Sequence, residues 1–267
     1  MKDTELLAKN EIFKAPSTIL FRAIETKLLR RKIKRYLKQT PALDLGCGDG
    51  IIADFIFERM LEYGLDNNRL SVKDAERLGM YQKVFCVDAS NIPLKNNTLK
   101  LVFSNCVLEH IPHIEKVFAE VNRVLAPGGY FIFTTPSHNL KRYSVFSYIK
   151  LGFLNSVYAK ARDKKLEHYH CYSIAKWSSL LKKYGFSCRD SYYYLGKNET
   201  IFWDFLLIFY KAFQVVWILF PKFYGKLYEI TIRKRILAML AKAKPLTSGG
   251  AAVCVIAQKD GWKKKIS

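Results

Sequence analysis

The stretch Leu43–Gly50 reads LDLGCGDG and decides the fold of this 267-residue chain. Its first three residues are typical of the end of a buried strand, and the glycine-rich loop Gly46–Gly50 follows directly. Ile51 then opens a segment typical of a helix. Strand, glycine turn and helix together place bare backbone at the carboxyl edge of a parallel sheet, where a ligand can approach closely. The sequence therefore predicts an α/β fold with a ligand site at this edge.

The glycine spacing restricts the kind of ligand. A dinucleotide-binding loop has the pattern G-x-G-x-x-G, and Ile51 stands where its third glycine would be. The pattern here is G-x-G-x-G, with the acidic Asp44 two residues before the first glycine. A chance glycine turn between a strand and a helix is the alternative interpretation of so short a motif. Neighbouring signals have to decide between the two.

Further signals follow in order along the chain. Asp66 ends one short apolar strand, and Asp88 with Ala89 ends the next. A carboxylate at the position of Asp66 can accept hydrogen bonds from both hydroxyls of a ribose. A fourth predicted strand ends at Asn105, and the string Leu125–Gly129 reads LAPGG before a fifth strand. Four signals in one order make a chance glycine turn a poor explanation.

These signals resemble those of the class I S-adenosylmethionine-dependent methyltransferases, in the methyltransferase type 11-like subgroup. The resemblance spans Leu43–Pro136 and implies a Rossmann-like, seven-stranded mixed sheet with helices on both faces and S-adenosylmethionine as cofactor. It implies that Asp88 faces the adenine amino group and that Ala89 offers its backbone there. The predicted cofactor-binding residues are Asp44, Gly46, Cys47, Gly48, Gly50, Asp66, Asp88, Ala89 and Asn105.

The resemblance continues downstream. The pattern H-x-x-x-Y-S … W-x-x-L-L-x-x-x-G-F, from His168 to Phe186, resembles the same subgroup and places a helix before a sixth strand, Ser187–Tyr194. It implies that the last strand, Ala251–Ala257, is antiparallel and inserts between the fifth and sixth strands. It also implies that the polar, aromatic residues 136–170 cover the transferring methyl group and build an acceptor pocket.

Three regions are predicted: an N-terminal basic helical cap (1–40), a methyltransferase domain (41–197 and 249–260) and a helical insertion (198–248). From Ile201 to Phe220 every residue is apolar or aromatic except Asp204, Lys211 and Gln214. That length could cross a bilayer, but a single crossing would strand the last strand on the far side. We therefore expect a helical hairpin, broken near Pro221, that lies on or dips into one membrane face. A helical subdomain packed on itself or on a dimer partner is the alternative.

The charge is strongly basic, with 44 Lys and Arg against 23 Asp and Glu and a formal net charge of +21. Such a field attracts nucleic acid or anionic lipid. Basic residues between Lys27 and Lys38 recur at helical spacing, which predicts a basic amphipathic helix. A cap helix with a solvated lysine face is the alternative. Together with the hairpin, this helix favours an anionic membrane surface as partner.

The cysteines and the N-terminus indicate a compartment. Six cysteines include no C-x-x-C pair, which is typical of a reducing environment, and no apolar segment follows a basic start. The expected location is cytoplasmic, peripheral to the inner face of the membrane. His168 and His170 alternate along the chain, but no third ligand stands at metal spacing, so no metal site is predicted.

Two histidines are the candidate catalytic residues. His110 and His138 follow strand ends at the ligand-binding edge, where either could take a proton from an acceptor hydroxyl. Hydrogen-bonded loop histidines are the alternative. The predicted function is O-methylation, or less readily C-methylation, of a lipid-borne or amphipathic small-molecule acceptor at the membrane surface.

Other functions are weighed against this one. Ser104–Val107 does not match the [DNS]-P-P-[YFW] motif of enzymes that methylate base amines, and no Pro-Cys or Thr-Cys nucleophile exists. An RNA methyltransferase that uses the basic surface therefore survives on charge alone. A catalytically silent cofactor-binding protein, whose helical insertion recruits another protein, is the third possibility. Separately, the insertion makes an oligomer possible.

Overall fold

The computed structural model describes residues 16–209, 215–216, 218–220, 222, 225–226 and 228–261. The seven strands of the sheet are β1 Ala42–Leu45, β2 Leu61–Asp66, β3 Tyr81–Cys86, β4 Leu99–Asn105, β5 Leu125–Pro136, β6 Phe186–Tyr194 and β7 Ala252–Lys259. The α-helices used below are α1 Pro16–Ile33, α2 Ile51–Ile56, α3 Arg69–Leu78, α4 Ile114–Val124, α5 Val145–Tyr148, α6 Gly152–Lys165, α7 Ile174–Lys183, α8 Lys197–Ile208 and α9 Lys234–Lys242. Short 3₁₀ helices cover Leu108–His110 and His138–Arg142, and a π-helix covers Tyr228–Arg233.

The strand order is β3-β2-β1-β4-β5-β7-β6. The first five strands pair in parallel, and β7 is antiparallel to both of its neighbours. The predicted seven-stranded mixed sheet is confirmed, as is the place of the last strand between the fifth and the sixth.

Helices cover both faces of the sheet because strand residues alternate between two apolar layers. Leu101 and Phe103 face the core beneath α1, α8 and α9, whereas Val102 faces the core beneath α4 and α7. Helix α4 has a clear apolar stripe. Its buried residues recur at helical spacing: Ile114, Val117, Phe118, Val121 and Val124.

The LAPGG string does not form a free turn after α4. The helix ends at Val124, and β5 begins at once with Leu125, five residues earlier than the predicted start at Tyr130. Leu125 pairs with Leu99 and Tyr130 pairs with Leu101, so the four residues between bulge out of the ladder. Gly128 suits this bulge because its φ of 79° is a conformation that favours glycine.

The predicted basic helix has the wrong bounds. Helix α1 begins at Pro16 and ends at Ile33, and residues 34–38 form a turn in which the Tyr36 amide donates to the Ile33 carbonyl. Ile33 and Tyr36 are buried because the chain turns, not because a helix continues. Residues 1–15 of the predicted cap lie outside the described residues. Five exposed cations remain together on a shallow groove and are called the basic cluster: Arg31, Lys32, Lys34, Arg35 and Lys38.

The insertion packs on α1 instead of standing apart. Phe202 and Leu206 of α8 and Leu240 of α9 are buried in the same core as α1. Lys27 Nζ donates to the Leu240 carbonyl at 2.6 Å. The predicted hairpin break near Pro221 lies outside the described residues. Among the described residues, no helix has both the length and the apolar character needed to cross a membrane.

Asp204, predicted only as an interruption of the apolar run, is a buried connector. Its carboxylate pairs with Arg162 Nη1 at 2.7 Å and accepts from Tyr158 Oη at 2.7 Å. It also accepts from the Val145 amide at 2.9 Å. Helices α5 and α6 are thereby attached to α8.

The direction of the strands places the helical segments and the basic cluster at opposite edges of the sheet. The segments after β5 and between β6 and β7 both leave from the carboxyl edge of β1, β2 and β4. The basic cluster precedes β1 and therefore lies toward the amino edge. Helix α1 spans the two, since Arg22 and Ile33 are separated by about 16 Å of helix.

Candidate cofactor and active site

The glycine loop is built so that backbone faces open space. Gly46 and Gly48 have φ values of 75° and 55°, which favour glycine. A Cβ at Gly46 would lie 2.3 Å from a Val107 methyl carbon, whereas a Cβ at Gly48 would meet nothing within 4 Å. The Gly48 amide donates to Asp66 Oδ2 at 2.9 Å, which ties the loop to the end of β2. Gly46 thus lets the loop pack, and Gly48 leaves bare backbone exposed to a ligand.

A cleft of about 330 Å³ lies above this loop, a size that suits a small-molecule site. Its lining includes six of the nine predicted cofactor-binding residues: Asp44, Gly46, Cys47, Gly48, Asp66 and Asn105. The other lining residues are Arg22, Asp49, Ile52, Phe103, Cys106, Val107 and His110. Residues at the ends of three strands, β1, β2 and β4, therefore meet residues of α1 and α2 at one place.

Gly50, Asp88 and Ala89 lie outside this cleft. Gly50 is buried, with a φ of 81°. Asp88 is exposed two residues beyond β3, where it accepts from the Ser90 amide at 2.8 Å. The hydrogen bonds from Ser90 lower the pKa of Asp88. The adenine-binding role of Asp88 and Ala89 stays a prediction.

Asp44 supports the loop from below. Its side chain is buried, and Tyr81 Oη donates to its Oδ2 at 2.7 Å. Burial raises the pKa of Asp44 to about 7, with a smaller rise from neighbouring Asp66, while the Tyr81 hydrogen bond opposes the rise. Asp66 is placed differently, because its two oxygens already accept from the amides of Gly48 and Asn68 at the rim of the cleft.

Arg22 is a residue of the site that the sequence analysis does not predict. Its guanidinium donates to Asn105 Oδ1 and to Glu25 Oε2, the second at 2.7 Å. Glu25 is fully buried and also accepts from Tyr194 Oη at 2.5 Å. Arg22 is the one Lys or Arg among the described residues that line the cleft. The signal that the sequence offers is two charged residues, Arg22 and Glu25, in the otherwise apolar stretch Leu20–Glu25, which the prediction of a cap helix does not use.

Of the two predicted catalytic histidines, the structure brings only His110 to the cleft. Its Nδ1 lies 3.2 Å from the Glu167 carbonyl, so Nδ1–H donates and Nε2 carries the lone pair. His138 is exposed beside Tyr193, outside this cleft. Burial, and secondarily the charge of Arg142, lower the pKa of His138.

Residues 168–170 return alongside the 109–112 segment. The ring centroids of His168 and His110 are 5.3 Å apart, and His110 Nε2 lies 3.9 Å from Glu109 Oε1. His170 Nε2 lies instead 3.0 Å from the Ile111 carbonyl. Along the chain, His168 stands near His170, and no third ligand follows at metal spacing. In the structure, His168 lies instead beside Glu109 and His110.

Exposed apolar residues occur on the two segments that leave the sheet from the edge where the cleft lies. Phe153 is 81 % exposed and Tyr148 is 69 % exposed. We define the apolar edge surface as these two residues together with Ile149, Leu151, Leu154, Val157, Phe205, Ile208 and Phe209, all of them exposed. The prediction describes residues 136–170 as polar and aromatic. It is corrected for residues 148–157, where aliphatic side chains are exposed as well. Exposed apolar groups at this density are typical of a protein or membrane interaction site.

The cleft has the charges that S-adenosylmethionine requires. That molecule carries a cationic sulfonium, an ammonium, a carboxylate and a ribose diol. Asp49 and Asp66 make the cleft acidic, which suits the two cations, and Arg22 suits the carboxylate. The rim position of Asp66 suits the diol.

The chain is similar to known methyltransferases, which agrees with a cleft suited to S-adenosylmethionine. The family described as "Methyltransferase domain" matches residues 43–133. A malonyl-[acyl-carrier protein] O-methyltransferase of Alcanivorax borkumensis is 32 % identical over 125 residues, which are 44 % of this chain and 42 % of that protein. A phthiotriol/phenolphthiotriol dimycocerosates methyltransferase of Mycobacterium ulcerans is 33 % identical over 97 residues, 34 % of this chain and 36 % of that protein. The matches thus span about two fifths of the curated relatives.

The fold extends beyond that matched part. A crystal structure of a putative sarcosine dimethylglycine methyltransferase from Galdieria sulphuraria superposes with a TM-score of 0.58 at 17 % identity. The superposition covers 88 % of this chain and 84 % of that one. At this identity the likeness concerns the fold alone.

Proposed function

We propose that this chain, whose residues 43–133 match the methyltransferase domain family, is an S-adenosylmethionine-dependent methyltransferase that methylates a hydroxyl of a lipid-borne or amphipathic acceptor. The observation that carries the proposal is one edge of the sheet that holds both the acidic cleft and the apolar edge surface. S-adenosylmethionine, the cofactor of this class, supplies an electrophilic methyl group when it is bound.

The chain's own residues bind and orient the two reactants. Asp66 accepts the ribose hydroxyls, Arg22 pairs with the carboxylate of the amino acid part, and the bare backbone at Gly48 allows close approach. Phe103 and Ile52 line the cleft and exclude water there. Such positioning and exclusion of water supply much of the rate of an in-line methyl transfer.

His110 is the group placed to assist the acceptor. It lines the cleft, and its Nε2 has a lone pair that can accept the hydroxyl proton. His138 remains a weaker candidate because it lies outside the cleft. A base or an equivalent group is required because a neutral hydroxyl is a poor nucleophile.

The acceptor class follows from the apolar edge surface. Exposed apolar side chains on segments that leave the same sheet edge as the cofactor cleft suit an acceptor with an aliphatic chain. Two of the relatives are methyltransferases named for malonyl-[acyl-carrier protein] and for phthiotriol/phenolphthiotriol dimycocerosates, which fits a carrier-linked or lipid acceptor.

Peripheral binding to an anionic membrane, at the inner face in the cytoplasm, is part of the proposal. Lysines on the same segments as the exposed apolar residues are themselves exposed: Lys150, Lys160, Lys164 and Lys165. Apolar insertion together with basic residues is the combination that holds amphipathic helices at anionic interfaces.

RNA methylation is the second candidate, and the basic cluster is the observation in its favour. Its groove is lined by five cations and Asp190. That groove lies toward the amino edge of the sheet, away from the cleft, which favours the lipid acceptor. The catalytically silent alternative differs from both in predicting cofactor binding without methyl transfer.

A transfer assay with tritiated S-adenosylmethionine, supplied with extracted membrane lipid or with RNA, tests the proposal. We expect label in the lipid fraction. Label in RNA alone would replace the acceptor class, and tight cofactor binding with no label in either fraction would favour the silent partner. Calorimetry that detects no S-adenosylmethionine binding would refute the methyltransferase proposal itself.

A further inference from the structure

We propose that Glu109, His110 and His168 form a binding site for one divalent metal ion, with zinc as its occupant, at the mouth of the cleft. One donor atom from each residue lies within 4.8 Å of the other two. The role of the ion rests on the proposed function, whereas the site itself does not. The residues come from the loop after β4 and from the segment before α7, so only the fold brings them together.

The spacing of the donors is close to that of a metal site. Zinc holds nitrogen and oxygen ligands at about 2.0–2.2 Å, so two ligands of one ion lie no more than about 4.4 Å apart. His110 Nε2 and Glu109 Oε1 already satisfy that limit at 3.9 Å. Closing the group on an ion requires only a small rotation of side chains.

The orientation of His110 is also that of a ligand. Its Nδ1–H donates to the Glu167 carbonyl, which leaves Nε2 free to bind a cation. Metal-binding histidines commonly donate their second nitrogen to a carbonyl or carboxylate in this way. The Tyr169 amide donates to the Glu109 carbonyl at 2.7 Å and fixes the two segments against each other.

Unmatched polar atoms are a second and independent observation. Glu109 is 1 % exposed, and its Oε2 has no hydrogen-bond partner among the described residues. Nδ1 of His168 is likewise buried without a partner in that part of the chain. Buried polar atoms in native proteins are almost always satisfied, and a bound cation would account for the Glu109 carboxylate.

The donor set selects the kind of ion. Two imidazoles and one carboxylate form a three-ligand set known from catalytic zinc sites, which leave a position open for substrate or water. Mg²⁺ and Ca²⁺ prefer oxygen ligands and fit poorly. The His110 side chain is 43 % exposed and lines the cleft, so the open position is accessible from there.

In the proposed reaction this ion would activate the acceptor. An acceptor hydroxyl bound at the open position would have a lowered pKa and lose its proton to water. The oxygen–methyl bond then forms as the methyl–sulfur bond of the sulfonium breaks, and the demethylated cofactor leaves. His110 acts here as a ligand and the ion replaces it as the activating group.

Cobalt binding tests the site without any activity measurement. The untagged full chain is treated with a chelator, dialysed and titrated with CoCl₂ while the visible absorption of the ion is recorded. We expect saturation at one equivalent and displacement by ZnCl₂. His168→Ala and Glu109→Gln should each weaken binding by at least about tenfold, since even loss of an outer hydrogen-bond partner costs that much.

His113→Ala is the matched control, because His113 is an exposed histidine in the same loop but outside the group. It should bind cobalt as the wild type does. Unsaturable binding, or equal affinity in all three variants, would overturn the site. If Glu109→Gln fails to fold, His168→Ala alone decides, since that residue is half-buried. Cobalt binding through these residues without methyl transfer would support the site and overturn the proposed function.

Discussion

The two edges of the sheet differ in chemistry. The acidic cleft, with the buried Asp44 beside it, and the helices with exposed apolar residues lie at the carboxyl edge. The basic cluster lies at the amino edge. The sequence predicts that the helical insertion, helped by the basic residues 27–38, binds an anionic membrane. The structure separates the basic cluster from the cleft by about 16 Å of α1. The apolar edge surface is therefore the better membrane contact.

Removing the apolar edge surface should have the largest effect. The double variant Phe153→Ser and Leu154→Ser should lower affinity for phosphatidylglycerol-containing vesicles by at least about 100-fold, because each side chain contributes about 1.5–3 kcal/mol on burial. Co-sedimentation measures this. Met60→Ser with Leu78→Ser is the control, since both are exposed apolar residues outside the surface. Unchanged sedimentation of the first double variant would refute the membrane role of this surface.

Asp44→Asn should change the pH dependence of stability. The folded-state pKa of Asp44 is raised from 3.8 to about 7, so the folded chain holds a proton that the unfolded chain releases. The proton on Asp44 stabilises the folded chain fully below pH 4, and this stabilisation is lost as pH rises to 7. The loss in the free energy of unfolding is at most about 4 kcal/mol. The variant should lack this loss and unfold at higher denaturant than wild type at pH 8.

Urea titrations of the chain without cofactor, at several pH values, measure this difference. The control is Asp54→Asn, because Asp54 is exposed on the neighbouring α2. Equal slopes of stability against pH in wild type and Asp44→Asn would show that Asp44 is ionised in the folded chain.

Asp66→Ala should weaken S-adenosylmethionine binding by about 10–100-fold, because hydroxyls left without a partner in a half-buried site cost about 1–3 kcal/mol. Asp88→Ala should have a smaller effect, since Asp88 is exposed and outside the cleft. Calorimetry of the two variants compares them directly. A larger loss with Asp88→Ala would mean that the adenine contact, not the diol contact, dominates.

Reversing charge in the basic cluster should have the smallest effect. Lys34→Glu with Arg35→Glu should change vesicle affinity by less than about threefold, because a cation in contact with an anionic surface contributes about 1 kcal/mol and these two face the other edge. A loss above about tenfold would place the amino edge on the membrane and restore the predicted joint role of residues 27–38.

The sequence predicted what is encoded locally. The glycine loop and Asp66 were found because their spacing follows from one strand–turn–helix unit and the next strand end. The order of the last three strands was predicted correctly by resemblance. The bounds of α1 were predicted incorrectly. Tyr36 is buried in the turn that follows Ile33, and it would be buried equally well if the helix continued, so the apolar pattern does not distinguish the two.

Contacts across long separations were missed for a different reason. Arg22 reaches Asn105 across 83 positions, and His168 meets His110 only because residues 168–170 return along the 109–112 segment. Neither contact has a periodic signal. Asp204 was visible as an odd charge in an apolar run, but its partner Arg162 could not be identified without the fold.

The buried Asp204 carboxylate also has a consequence for local unfolding. It holds three partners from residues 145–162, so α5, α6 and α8 cannot separate without exposing an unpaired charge. Segments bound in this way tend to open together as one cooperative unit. Hydrogen exchange should therefore give the amides of these three helices a shared opening rate, distinct from that of the central strands.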